Sequence, residues 1–157
     1  MSSAHPDFAH IDAESVTDSD LLDLLRASPA EASRTLNGEL LEVDSARGIA
    51  RFRFEVVPAF CHSQGRICQG GFLTGMVDTA MATAAIARGK LSVAVPTLEI
   101  KVSFFEAMGP GIVFAEGRVQ RWGGSVGFLD GDLRDEKGRL IVHSTSTVKI
   151  VRQKAKA

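Results

Sequence analysis

The sequence predicts an α+β fold in which a curved antiparallel sheet wraps around one long helix. Three observations predict it. The stretch GRICQGGFLTGMVDTAMATAAIA, Gly65 to Ala87, is apolar, and after Arg66 it carries one formal charge, Asp78. A two-run period-two pattern precedes it and four strand-like runs follow, with Gly or Pro at each join. A long helix with so little charge must tolerate burial on both faces, and the concave side of an antiparallel sheet supplies that setting.

The chain has 157 residues, enough for one domain with a sizeable core. It is 45% hydrophobic and 24% charged, with a formal net charge of −1. That balance argues against bulk attraction to nucleic acid or anionic lipid. Two cysteines do not make a disulfide framework. The N-terminus lacks a basic segment followed by an apolar run, and Phe72–Ala87 is too short and too rich in Ala, Thr and Gly for a membrane span. The expectation is a cytoplasmic protein.

Residues 1–18 read as a flexible arm, 19–152 as one domain that includes a short N-terminal helix, and 153–157 as a frayed tail. The short helix covers DLLDLLRA, capped by Asp18 or Ser19, and SPAEAS breaks it. LLEVD, a turn at Ala46–Gly48 and IARFRFEVV form a hairpin; Ile49, Phe52 and Phe54 alternate with charged neighbours. A loop, PAFCHSQGRICQGG, leads to the long helix, which ends at the cation Arg88 and a Gly89 stop. The later strands are VAVPTLEIKVSFF, GIVFAEGRVQRW, SVGFLDGDLRD and LIVHSTSTVKIV.

An unpaired buried carboxylate is costly, so Asp78 is expected to be paired, partly hydrated or raised in pKa. On a helix its same-face neighbours include Gly71, Thr74, Gly75, Ala82 and Ala85, all small, with Met81 at i+3 the bulky exception. This smooth face admits a close backbone or a slender ligand. One reading makes Asp78 a structural group bonded to a strand or a partner helix. The other is chemical. Gly70 and Gly71 open the helix, where free N–H groups without a Cβ in the way suit an oxygen gaining negative charge. Gly70 and Asp78 are eight residues apart, so they lie roughly 12 Å apart along a helix. One carbonyl carbon cannot reach both. Cooperation demands a homodimer with antiparallel helices and two sites at the interface.

At these residues the chain resembles a known family. QGGFLTGMVDTA is similar to the HGGxxxxLxD signature of hotdog-fold acyl-CoA thioesterases of the phenylacetate-pathway type, with the same spacing from the second Gly to the Asp. PTLEIKVSFFEAMGPG resembles that family's strand after the helix, and the likeness spans about residues 36–152. The resemblance implies hydrolysis of an acyl thioester to an acid and free thiol, with coenzyme A (or an acyl carrier) as part of the substrate rather than a cofactor. It implies Asp78 as nucleophile or general base, the Gly70 N–H polarising the carbonyl, and Thr97 orienting water or the carboxylate. Thr97 also reads as an ordinary β-branched strand residue. It further implies a homodimer, often a dimer of dimers.

Two departures stand out. The family's His before the Gly pair is Gln69, which can position a carbonyl but cannot carry a proton at neutral pH. The family's loop Asn falls near His62, Ser63 or Gln64, and His62 could supply the missing imidazole. Gln69 and His62 therefore join Asp78, Gly70 and Thr97 as catalytic candidates. Gly71, Ser63, Gln64 and Phe72 are the substrate-binding candidates.

Other groups invite weaker readings. Cys61, His62 and Cys68 lack a CxxC pair and a fourth ligand, so no metal is expected, and a Cys–His nucleophile is disfavoured because adjacent side chains point apart. His143 reads as a sheet residue, and His5 and His10 fall in the arm. Lys101, Arg118, Arg121 and Lys149 read as a solvated face that could spare one or two cations for coenzyme A phosphates. Trp122 reads as packing. Phe54, Phe60, Phe72, Phe104 and Phe105 suit an apolar or aromatic acyl group, or simply a core. Two other functions share the fold: acyl-CoA binding without hydrolysis, which needs no carboxylate at position 78, and hydration or dehydration, which needs a His paired with an acid.

Overall fold

The computed structural model of the chain describes residues 15–152. The expected frayed tail, His5, His10 and most of the expected arm lie outside the described residues.

The first helix, α1 (Asp18–Ala27), starts at a reciprocal cap: the Thr17 hydroxyl accepts from the Asp20 N–H, and the Asp20 carboxylate accepts from the Thr17 N–H. The cap is Thr17, one residue before the expected Asp18. Leu21 is fully buried under it. Arg26 donates to the Leu40 and Leu41 carbonyls and so ties α1 to the sheet. SPAEAS does stop α1, but the chain resumes as a second short helix, α2 (Glu31–Thr35), that the sequence reading took for a break. Its five residues are too few for a periodic signal.

Strands β1 (Gly38–Asp44) and β2 (Ile49–Val56) form the expected hairpin, with Gly48 at φ 67° in its turn. The following loop holds a short 3₁₀ turn (Pro58–Phe60) and a small hairpin, β3 (Cys61–His62) with β4 (Ile67–Cys68). The long helix, α3, runs Gly70–Arg88. Beyond it the first expected strand is split by Pro96 into β5 (Val93–Ala94) and β6 (Thr97–Phe104), because proline has no N–H to give a ladder. Then come β7 (Gly111–Trp122), β8 (Val126–Asp135), β9 (Leu140–Lys149) and β10 (Val151–Arg152), which pairs with β5. The main sheet has six antiparallel strands in the order β1-β2-β7-β8-β9-β6.

The helix lies on this sheet, mostly against β7, β2 and β8. Leu73, Met76, Val77, Ala80, Met81 and Ala84 face it and are buried. Two glycines set how closely they meet. A Cβ on Gly117 would fall inside the Ala80–Met81 backbone, and one on Gly131 would come within 2.8 Å of Val77 Cγ2. The far side of α3 differs from expectation: Thr74, Gly75, Asp78 and Ala82 are only half-buried and Gly71 is exposed. Ala85, expected on that side, is fully buried. Burial on both faces is therefore not reached within one chain. Gly89 does end α3, but with φ −83°; the left-handed residues are Lys90 and Leu91. Glycine is required at 89 because a Cβ would strike the Val93 side chain.

Of the two sheet edges, β1 is packed by α1. The β6 edge is open, and Leu98 and Phe104 on it are 59% and 51% exposed, with Phe105 just beyond.

Candidate active site

Asp78 sits mid-helix on the half-covered face of α3. Thr97, the first residue of β6, donates its hydroxyl to Asp78 Oδ1 at 3.2 Å. The break at Pro96 places it there: the chain turns from β5 back alongside the helix and starts β6 beside Asp78. Burial pushes the Asp78 carboxyl above the ordinary carboxylate range, and the Thr97 hydrogen bond pulls it partly back. One carboxylate oxygen is engaged; Oδ2 makes no hydrogen bond among the described residues.

The helix start is built by Gln69. It is the N-cap, and its side-chain Oε1 accepts from the Gly71 N–H at 2.8 Å. Its own N–H donates to the Phe60 carbonyl, and its carbonyl accepts from Phe72. Glutamine is an uncommon cap, and nothing in the sequence pattern marks this role. The result is selective. Gly71, named as a substrate-binding candidate, has its N–H already taken, whereas the Gly70 N–H makes no hydrogen bond among the described residues. The Gln69 side-chain amide N–H groups are also unengaged there.

The Phe104 ring lies over Gly70, so close that a Cβ at Gly70 would come within 3.0 Å of it. Beside them a cavity of about 400 Å³ is lined by Cys68, Gly70, Leu73, Phe104, Phe105 and Met108. Phe72 does not line it; its ring stacks on Phe60 at 4.5 Å between centroids. The aromatic signal was legible in the sequence, but which phenylalanine lies over the helix start follows from Phe104 lying on the edge strand β6.

His62, Ser63 and Gln64 occupy the exposed tip of the β3–β4 hairpin, with Ser63 and Gln64 at φ 53° and 62°. His62 Nδ1 lies 2.8 Å from the Ser63 hydroxyl. Among the described residues no hydrogen bond joins any of the three to Gln69, Gly70 or Asp78. Cys61 and Cys68 face each other across this hairpin, and no three His, Cys, Asp or Glu among the described residues converge as a metal site.

One of the four strand cations, Arg118, resolves differently from the phosphate-binding option. Arg118 on β7 is held by Glu116, Asp130 and Asp132, at 2.9, 2.8 and 3.1 Å. Glu116 also binds Arg51, which reaches Glu42. His143 Nδ1 lies 2.8 Å from Asp132. The cross-strand pairs Arg51–Glu116, Glu116–Asp132, Arg118–Asp130 and Asp132–His143 put this lattice on the sheet face opposite α3. Arg118 is thus neutralised rather than free for phosphate. Trp122 packs against the core as expected.

A family model described as the thioesterase superfamily matches residues 66–142. No curated protein matches the chain in sequence. Solved structures do. The phenylacetic acid degradation-related protein of Ralstonia eutropha JMP134 is 27% identical, with a TM-score of 0.74 over 82% of this chain and 98% of that one. The Escherichia coli PaaI protein from the phenylacetic acid degradation operon is 16% identical, with a TM-score of 0.75 over 86% and 96%. A hypothetical thioesterase protein from Streptococcus pneumoniae TIGR4, solved with coenzyme A, is 19% identical, with a TM-score of 0.70 over 78% and 94%. Their shared architecture is the hotdog fold, and this chain has it.

Proposed function

We propose that the chain, which has the hotdog fold and matches the thioesterase superfamily model over residues 66–142, hydrolyses an acyl-CoA, with Asp78 as the base that activates water and the Gly70 N–H as the donor to the thioester oxygen. The observation that carries this reading is the pairing of two unsatisfied groups on one helix. Among the described residues nothing bonds Asp78 Oδ2, on the half-covered face, or the Gly70 N–H, at the positive end of the helix dipole.

The chemistry follows from these groups. A carboxylate raised by burial is a better base than a solvated one. Oδ2 takes a proton from water as the oxygen attacks the thioester carbon. The Gly70 N–H stabilises the resulting oxyanion, and the Gln69 side-chain amide stands next to it as a second donor. Collapse of the tetrahedral intermediate expels the thiolate of coenzyme A. Thr97 holds Oδ1, which fixes the carboxylate and directs Oδ2 outward.

Gly70 and Asp78 are separated by about two turns and roughly 12 Å, so the site takes Asp78 from one chain and Gly70 from a second. The open β6 edge and the small residues Gly71, Thr74 and Gly75 on the outer face of α3 support a two-fold homodimer in which edges pair and helices run antiparallel. A further dimer of dimers is compatible with the exposed Phe114 and Phe128 on the opposite sheet face. The cavity beside Gly70 would receive an apolar part of the acyl group. Hydration chemistry lacks support: among the described residues no histidine is joined to Asp78.

The test is thiol release from short, medium and aromatic acyl-CoAs by wild type and Asp78→Asn, with the dimer checked by sedimentation. A general base contributes about 10²- to 10⁴-fold, so the variant should lose that much while keeping its assembly. Binding without turnover in the wild type would instead make the protein an acyl-CoA-binding module.

A further inference from the structure

The β3–β4 hairpin carries the chain's two cysteines, and neither has a part in the proposed reaction. They are direct cross-strand partners, Cys61 opposite Cys68. The surrounding hydrogen bonds define the kind of pair. The Gln69 N–H donates to the Phe60 carbonyl one step along, and the Cys68 N–H turns away from Cys61 to the Met108 carbonyl at 2.7 Å. Cys61 and Cys68 are therefore a non-hydrogen-bonded antiparallel pair, the type whose Cα atoms approach to about 4.5 Å with side chains on the same face. That separation lies within the roughly 4.4–6.8 Å range of disulfides. Burial, and after it the neighbouring Cys61 thiol, pushes the Cys68 thiol up to about 11. The accessibilities are unequal: Cys61 is half-buried and Cys68 is 5% exposed.

We propose that Cys61 and Cys68 are a redox modification site that closes reversibly to an intramolecular disulfide at the threshold of α3. The co-reactant is a small-molecule disulfide of the glutathione class. The Cys61 thiol gives its proton to solvent, and the thiolate attacks one sulfur of the small disulfide. A Cys61 mixed disulfide forms and one small thiol leaves. Cys68 then loses its proton and attacks the Cys61 sulfur, and the second small thiol leaves. The two cysteines are oxidised by two electrons and the small disulfide is reduced by two. The order follows from burial, since Cys61 is the more exposed of the two. Position gives the bond its effect. Cys68 immediately precedes Gln69 and lines the cavity with Gly70 and Phe104. Closing the pair fastens the strand that delivers the cap residue of α3, and it removes the Cys68 S–H that now points at the Gln69 carbonyl at 3.7 Å.

The experiment incubates the full-length protein in glutathione buffers of rising oxidised-to-reduced ratio. Free thiols are then blocked and the chain is digested with trypsin. Cleavage after Arg66 separates the cysteines, so a disulfide appears as residues 54–66 joined to 67–88. The expected result is a joined peptide that rises with the ratio to most of the protein, stays within one chain on non-reducing gels, and disappears with dithiothreitol. Cys68→Ser should stop at a glutathione adduct on Cys61, and Cys61→Ser should leave Cys68 unmodified. A wild-type chain that carries only the Cys61 adduct, links between chains, or stays reduced at every ratio would overturn the proposal. None of these readouts depends on acyl-CoA turnover.

Discussion

Gly117→Ala places one methyl group where the sheet and α3 are closest. The new Cβ would fall inside the Ala80–Met81 backbone, so no side-chain rotation can relieve it. Either β7 or the helix must move by about an ångström. Overpacking of this kind costs about 1–3 kcal/mol, and a backbone collision belongs at the upper end. For a chain of this size each kcal/mol lowers the melting temperature by about 2–4 °C, which gives a loss of about 6–12 °C. Two internal controls calibrate it. At Gly131 the added Cβ meets Val77 Cγ2 at 2.8 Å and Met81 Cγ at 2.9 Å, side-chain atoms that can shift, and the nearest backbone atom, the Glu116 carbonyl oxygen, lies farther off at 3.1 Å, so Gly131→Ala should cost less. At Gly124 nothing lies within 4 Å, and Gly124→Ala should change stability by under about 0.5 kcal/mol. The helix also carries Gly70 and Asp78, so the same displacement should lower turnover by about 10²-fold well below the melting point. The assay is calorimetry or urea unfolding of the three variants at one protein concentration, followed by acyl-CoA turnover. If Gly117→Ala melts within 2 °C of Gly124→Ala, the close packing inferred for α3 is wrong.

Three further outcomes are expected. Thr97→Val removes the hydrogen bond that lowers the Asp78 pKa, so the acid limb of the kcat/KM profile should move to higher pH; an unmoved or lowered limb would remove Thr97 from the site. Asp78→Asn should stabilise the fold at neutral pH while lowering turnover by about 10²- to 10⁴-fold. The folded Asp78 carboxyl titrates above its ordinary 3.8, so the native state holds the proton longer than the unfolded chain and stability falls as pH rises through that window. The melting difference between variant and wild type should vanish below that window and be largest at pH 7, as scanning calorimetry across pH would show. Arg118→Met leaves Glu116, Asp130 and Asp132 facing one another on the outer sheet face, at a cost of roughly 1–3 kcal/mol that 1 M salt should reduce, read as the urea midpoint at both ionic strengths.

The layout was legible wherever the physics is local. Alternation in IARFRFEV marked β2, Gly48 marked its turn, and the Ala-rich run bounded by Gln69-Gly70 and Arg88-Gly89 marked α3. The parts that escaped depend on neighbours distant in sequence or on geometry too short to have a period. Helix α2 has one turn and a half of chain. Pro96 interrupts a strand whose composition is uniform on either side. In the site, the proximity of Thr97 to Asp78 is what the family resemblance implies; the residue pattern alone leaves Thr97 an ordinary strand residue. The capping by Gln69 was legible in neither, because glutamine is rarely found there and its carbonyl reaches Gly71 only once the backbone has turned. Arg118 looked free in the sequence because its three partners include two carried on another strand, Asp130 and Asp132. Phe72 lost its place at the cavity to Phe104 because it stacks on Phe60, a residue from the preceding loop.

The Gly70 N–H and the Asp78 carboxylate share one rigid helix, roughly 12 Å apart, and this has a genetic consequence. In the antiparallel dimer proposed above, every helix would lend its start to one reaction centre and its middle to the other. A chain defective at Gly70 and a chain defective at Asp78 would each be silent as homodimers. Mixed, half of their pairings would contain one centre built wholly from intact parts and one built wholly from damaged parts. The two lesions would complement each other in a cell that expresses both, as though they lay in different genes.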